Sequence, residues 1–312
     1  MRTFLLSMQL LVLGFLFIGC EEEFQPDASI YEKEYVVECY IEHGPSGFPV
    51  YALVTYALPF YSSFGVDAIN NAFVRDAAVS ITDGQNHYAL QEICLNDLGE
   101  PLRSQWIMNL GYNPDSFKTN LCAYVDLAGG FKAEVGKTYK LEVIKGGDTI
   151  TGSTIIPVSI PLDSIWFENP PGKNNNDTFA QMFCKISDLP GQKDYYRYFT
   201  AGANERLIAN LTSVTDDVFF DGQEFKFTLS EAIGPDETFG DNSGLFRRGD
   251  SVEVKWCTLP QSHFTFWSTL ETSRTRQGPF ANYVRIQGNI SPGLGIFGGQ
   301  NCTYYKVYVP KI

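Results

Sequence analysis

The chain has 312 residues, is 44% hydrophobic and carries a formal net charge of −13. That apolar content excludes a disordered chain, and the acidic balance argues against a nucleic-acid partner, which needs clustered Lys and Arg. Aromatics reach 14%, with 24 Phe and 17 Tyr, and together with many Val, Ile and Thr they favour strands.

The N-terminus reads as a secretory signal over residues 1–19. Arg2 supplies the positive region and residues 10–18 the apolar run. The run is too short to span a bilayer, which needs about 20 apolar residues. Ile18-Gly19-Cys20 closes it and resembles the bacterial lipobox, with Phe17 where Leu or Val is usual. Cys20 is therefore the expected acyl acceptor. The bland alternative is an ordinary cleaved signal with an incidental Cys, and a Cys directly after Ile-Gly at the end of such a run disfavours it. Two or more acyl chains, at about 0.8 kcal/mol per buried methylene, anchor a protein stably. Glu21-Glu22-Glu23 resembles the surface-export signal of Bacteroidota lipoproteins and is equally a solvated tether. Residues 20–33 are read as that lipidated tether. The expected location is the outer membrane, lipid-anchored, at the cell surface.

Next come short strands at regular spacing. Residues 35–41 and 50–56 flank a turn from Gly44 to Gly47. Residues 77–82 and 87–90 flank Asp83-Gly84, a hairpin signal. Residues 138–143 alternate polar and apolar, Gly146-Gly147-Asp148 turns them, and residues 149–156 run back. This cadence predicts an immunoglobulin-like β-sandwich over residues 34–160. Pro157 and Pro161 bracket a linker.

Residues 161–312 read as a second β-rich unit, barrel-like or a sandwich, with one short helix. Its strands are expected at 165–167, 179–186, 195–200, 225–229, 252–256 and 302–309, and its surface loops at 169–177 and 234–244. Phe264, Trp267 and Leu270 recur three apart after Pro260, which predicts the helix over 260–272. A helix among strands can plug a barrel end or cover a sheet edge.

Six Cys remain after Cys20, at 39, 94, 122, 184, 257 and 302. Outside the cytoplasm they predict disulfides, with 15 connectivities open. Cys94 with Cys122, closing a long loop, is the pair expected. Within that loop residues 95–121 do not alternate, yet they carry Trp106, Ile107, Met108, Leu110 and Tyr112. Such a cluster either folds back onto the core or presents a contact patch. Trp106 and Tyr112 are the binding candidates.

Chemistry is sparse. No C-x-x-C occurs and the three His (43, 87, 263) lie far apart, so neither a metal nor a cofactor is expected. No G-x-S-x-G or H-E-x-x-H occurs, so no catalytic residue is assigned. Carboxylate pairs such as Asp216-Asp217 and Asp236-Glu237 read as solvated loop residues. The oxygen-rich segment 236–244 lacks EF-hand spacing.

The C-terminal half carries Gly278-Pro279-Phe280-Ala281, Gln287-Gly288-Asn289-Ile290 and Gly293-Leu294-Gly295-Ile296-Phe297-Gly298-Gly299. These resemble the ending of the DUF4249 family of Bacteroidota outer-membrane lipoproteins, with Gly278 where Asn is common and Ile296 where Tyr is common. Asn71-Ala72, Val79-Ser80-Ile81-Thr82 and Gly136-Lys137-Thr138-Tyr139-Lys140-Leu141 fit its opening sandwich. The resemblance implies a context beside TonB-dependent transporters and no stated activity. Read bottom-up, the glycines of this run permit bends and close backbone approach; a ligand-cradling loop is the sharper alternative. The expected function is a non-enzymatic accessory to such a transporter, by ligand capture or docking. The alternatives are an extracytoplasmic hydrolase of glycans or peptides and a structural subunit of an envelope complex.

Overall fold

A computed structural model describes residues 33–44, 49–59, 65–110, 112–172, 176–202, 206–233, 238–276 and 284–312. The signal, Cys20, nearly all of the tether, most of the Gly44-to-Gly47 turn and the Gly278-Pro279-Phe280-Ala281 segment lie outside the described residues.

The fold is mainly β. β1 (Tyr35–His43) buries alternate residues, Val37, Cys39 and Ile41, and pairs antiparallel with β2 (Tyr51–Tyr56). β3 (Ala78–Thr82) and β4 (His87–Cys94) form the hairpin that Asp83-Gly84 predicts. Asp83 accepts the Gln85 and Asn86 amides at 3.0 and 2.7 Å, and Gly84 takes a φ of 89°, which only Gly adopts without strain. β5 (Cys122–Val125) bridges β2 and β4. β6 (Thr138–Lys145) and β7 (Asp148–Ile155) form the next hairpin.

The second half contributes β8 (Leu162–Glu168), β9 (Phe179–Ser187), β10 (Tyr195–Ala201), β11 (Ile208–Asp216), β12 (Glu224–Leu229), β13 (Phe246–Arg247), β14 (Ser251–Leu259), β15 (Ile290–Ser291) and β16 (Leu294–Tyr308). One 12-stranded path runs β11-β10-β14-β16-β1-β2-β5-β4-β3-β6-β7-β15, and β9 gathers β8, β12 and β13 into a smaller sheet. The described strands close no barrel.

Two cores result. The first holds Val37, Cys39, Leu141, Ile150 and Ile156, and takes Ile290 and Phe297 from the far end of the chain. The second lies between the smaller sheet and the C-terminal part of the large one, with Met182, Cys184 and Ile186 against Tyr196, Val254 and Trp256. This is the sandwich solution, two sheets burying their apolar faces on each other.

Two expectations need correction. Among the described residues α1 (Val66–Ala72) and α2 (Leu102–Asn109) add two helices to the half read as strands and turns, whereas α3 (Gln261–Thr275) is the one helix expected in residues 161–312. The first two are short, and α2 lies inside the segment read as a plain loop. β16 begins at Leu294, eight residues before the expected strand, because the glycine-rich run is itself strand. A Cβ on Gly295 would meet the Val37 carbonyl oxygen at 1.9 Å, and one on Gly299 the Ile155 carbonyl oxygen at 2.3 Å. These glycines let three strands crowd together.

Candidate functional site

Strands β10, β14, β16 and β1 lie side by side. Alternation turns one set of their residues to the face opposite the two larger cores: Arg197 and Phe199, Lys255 and Cys257, Gly298, Gln300, Cys302 and Tyr304, and Glu38, Tyr40 and Glu42; Cys257 and Cys302 there join Tyr195 and Leu259 in a small apolar cluster against which Phe199 and Tyr304 pack. Pro260 ends β14 and starts α3, which packs across β10, β11 and β16. Phe264 stacks on Tyr195 with ring centroids 4.8 Å apart, beside a Cys257–Cys302 disulfide between directly paired residues.

The part of this face around Glu42, Gln300 and Lys255 opens into a cavity of about 1010 Å³, lined also by Tyr40, Tyr51, Phe131, Leu110 and Leu207. Its floor is polar. Glu42 accepts from Lys255 Nζ at 2.5 Å, from Gln300 Nε2 at 2.6 Å and from the Tyr304 hydroxyl at 2.6 Å. Burial, reinforced by Glu42, pushes the Tyr304 hydroxyl well above its ordinary pKa. Lys255 Nζ also lies 5.2 Å from the Phe199 ring centre and 5.4 Å from that of Tyr304. Removing either charge of this pair strands the other in a half-buried place, which is costly.

The walls are held from both halves of the chain. His43 Nδ1 donates to the Ala133 carbonyl at 2.8 Å, since a carbonyl only accepts. Asp126 accepts the Phe131 amide at 2.7 Å and folds the 126–133 segment over the rim. Arg206 donates to the Leu110 carbonyl at 2.9 Å, so the 95–121 excursion is tied to the segment before β11.

Next to the cleft, beneath α3, lies a buried polar network. His263 is fully buried; Nδ1 donates to the Gly299 carbonyl at 2.9 Å, and burial, reinforced by the Arg197 and Lys255 charges, depresses its pKa to about 3. Its Nε2 and the Trp267 indole Nε1 have no hydrogen-bond partner among the described residues. Tyr40 stacks on both rings, with centroids 5.4 and 6.1 Å apart, and donates to Glu38 at 2.7 Å. Arg197 lies 3.4 Å from the Trp267 ring centre and donates from Nε to Ser213 Oγ at 3.1 Å. Ser213 in turn donates to Glu271 at 2.6 Å.

The sequence-predicted residues fall unevenly on this geometry. Cys94 and Cys122 form a disulfide at the base of the excursion. Ile107 of α2 is fully buried, whereas Leu102, Met108 and Tyr112 are exposed, and Tyr112 stacks on Phe117 at 4.8 Å. Trp106 is half-buried. Only Leu110 of that apolar set reaches the cleft wall; Trp106 and Tyr112 do not line it. Glu42, Lys255, Gln300 and Arg197 were not anticipated. The weak signal for Glu42 and Lys255 was charge at positions that alternate with core residues in 35–43 and 251–259.

A second group escaped the sequence reading. Asp188, Asp194 and Asp217 bring one carboxylate oxygen each within 4.8 Å of one another, where only the neighbouring Asp216-Asp217 pair was apparent. Each has a bonded task. Asp188 accepts the Tyr196 hydroxyl at 2.6 Å and the Gly222 amide at 3.0 Å. Asp217 accepts the Asp194 amide at 2.8 Å, and Asp194 receives Gln192 Nε2 at 3.0 Å. Burial raises the Asp194 carboxyl pKa; the Gln192 bonds oppose this and the neighbouring aspartates add to it.

Among known proteins, the family model described as a domain of unknown function, DUF4249, matches residues 21–305. No curated protein and no solved structure matches the chain.

Proposed function

The chain belongs to the DUF4249 family, and from that premise we propose that it is a lipid-anchored outer-membrane lipoprotein that captures a ligand, without chemistry, beside a TonB-dependent transporter. The observation that carries this reading is the open cleft of about 1010 Å³ with hydrogen-bonding groups on its floor and aromatic rings on its walls. Convergent hydrogen-bonding groups beside aromatic side chains in a concavity are what small-ligand recognition needs. Glu42, the carboxylate on the floor, has both oxygens engaged by Lys255, Gln300 and Tyr304, which suits fixed recognition better than proton transfer. The signal, Cys20 and Glu21-Glu22-Glu23 support the location.

The test is affinity purification of the native protein from solubilised outer membrane after mild cross-linking, with mass spectrometry of what comes with it. A TonB-dependent transporter should co-purify, and Cys20→Ala should release the protein into the soluble fraction. Recovery without any transporter, or unchanged membrane fractionation of Cys20→Ala, overturns the corresponding half of the reading.

A further inference from the structure

The charges that line the cleft balance. Its carboxylates, Glu42 and Asp126, are matched by its ammonium groups, Lys132 and Lys255. Glu42 and Lys255 form an ion pair whose side chains are only 11% and 14% exposed. An ionic ligand on this floor meets one attractive and one repulsive partner, and gains from either only by breaking the pair. A wholly apolar ligand fails for another reason. It would cover the pair and the Gln300 amide and return no hydrogen bond. The floor therefore suits a ligand that is uncharged and polar.

The groups that would meet it are of both kinds. Gln300 donates one N–H to Glu42, which leaves its second N–H and its carbonyl oxygen. Lys255 has two N–H groups beyond the one given to Glu42. Donors and an acceptor thus stand together, and the hydroxyl is the group that can both accept and donate there. Beside them are the rings of Tyr51 and Phe131. Phe131 is clamped, with Tyr88 and Tyr139 set edge-on at centroid distances of 5.2 and 5.3 Å and its amide bonded to Asp126. A ring fixed in advance loses little entropy on binding. The apolar C–H face of a sugar packs on such a ring while its hydroxyls reach the polar groups. A peptide fits less well, because extended peptides are commonly held by adding a strand to a sheet edge, and this floor is the face of the paired strands β14, β16, β1 and β2. The volume of about 1010 Å³ lies at the upper end of small-ligand pockets, about 300–1,000 Å³, which favours more than one sugar ring.

We infer that the cleft takes a neutral oligosaccharide, with Gln300 bonding its hydroxyls and Phe131 packing against a sugar face. This deepens the capture reading and rests on it. A protein that co-purifies with a transporter yet binds no neutral saccharide loses this inference and keeps the capture reading; saccharide binding without a transporter does the reverse.

The probe is an array of immobilised neutral and acidic oligosaccharides, with a tryptic peptide mixture as the competing class, applied to the full mature protein in detergent. Calorimetry then follows the neutral oligosaccharide that binds best. Binding should be saturable and should change less than about twofold between about 0.05 and 0.5 M NaCl, since an uncharged ligand is not screened. Gln300→Leu keeps the shape, removes the amide and should weaken binding about tenfold. Should that variant not fold, Phe131→Leu keeps an apolar side chain, removes the ring and should weaken binding several-fold. Failure of every neutral oligosaccharide overturns the inference, as does preference for acidic oligosaccharides or for peptides, or an undiminished affinity in a folded Gln300→Leu or in Phe131→Leu.

Discussion

His263 ties a single residue to a measurable pH dependence. Its ring lies flat against Gly298, where a Cβ would come within 2.9 Å of three ring atoms, and it is fully buried. Burial first, then the Arg197 and Lys255 charges, hold its pKa near 3 despite the bond to the Gly299 carbonyl. The folded pKa is thus depressed below the unfolded value of about 6.5. The unfolded chain takes up a proton that the fold refuses, so this stability is present above about pH 6.5 and is lost as pH falls toward 3. His263→Phe keeps a flat ring and removes the titration. It should cost about 1 kcal/mol at neutral pH, the worth of one hydrogen bond, and should flatten the decline in melting temperature between about pH 6 and 4. Parallel declines in the two proteins would place the acid sensitivity elsewhere.

Among the elements, those readable in the sequence are those whose residues face two different environments. β6 alternates because Tyr139, Leu141 and Val143 enter the core while Thr138, Lys140 and Ile144 do not. α3 shows helical spacing because Phe264 and Trp267 both turn to the sheet. β5 is buried at all four positions, so no alternation marks it. β11 shifts register against β10 between Arg197 and Phe199, which blurs its period. In β16 the signal is inverted, since glycines weaken a strand in general and here are what the packing requires. Gly295 has a φ of 112° and leaves 1.9 Å for a Cβ against the Val37 carbonyl oxygen. Gly295→Ala should therefore cost more than about 3 kcal/mol or prevent folding, through strain and collision together; a variant that melts within a few degrees of wild type would refute the close approach. The cleft was illegible for a different reason. Glu42, Lys255 and Gln300 come from three separate strands, and nothing in the local pattern of any one of them signals the meeting. The 95–121 excursion divides in the same way: Ile107→Ala should cost about 2–5 kcal/mol as a buried truncation, whereas Tyr112→Ala, at an exposed position, should leave the melting temperature nearly unchanged. Equal costs for the two would mean that the whole excursion is packed.

At the scale of the whole molecule, a boundary at residue 160 falls between two cores and within one hydrogen-bonded framework. Residues Lys33–Ile312 form one compact unit. β16 is the reason: it pairs in parallel with β1 from Leu294 to Asn301, then antiparallel with β14 from Asn301 to Tyr308. Phe297 belongs to the first core, and Tyr305 and Val307 pack against the second. Losing β16 from the first core opens the edge of β1 and exposes Ile41 and Cys39; losing it from the second leaves β14 paired on one side only. The two cores should then unfold as one. Each carries its own reporter, because Cys39 and Cys184 are free and fully buried, one in each core. Burial raises the pKa of both thiols, so neither should react in the folded state. Under increasing denaturant both should become reactive to a thiol reagent at the same midpoint, with the two disulfides left intact. Where opening and closing are faster than labelling, the protection of each thiol reports the free energy of its own opening. Equal values for Cys39 and Cys184 are the expected result. A Cys184 that labels at distinctly lower denaturant, while Cys39 stays protected, would show that the first core stands without the antiparallel β14–β16 pairing and that the two halves fold independently.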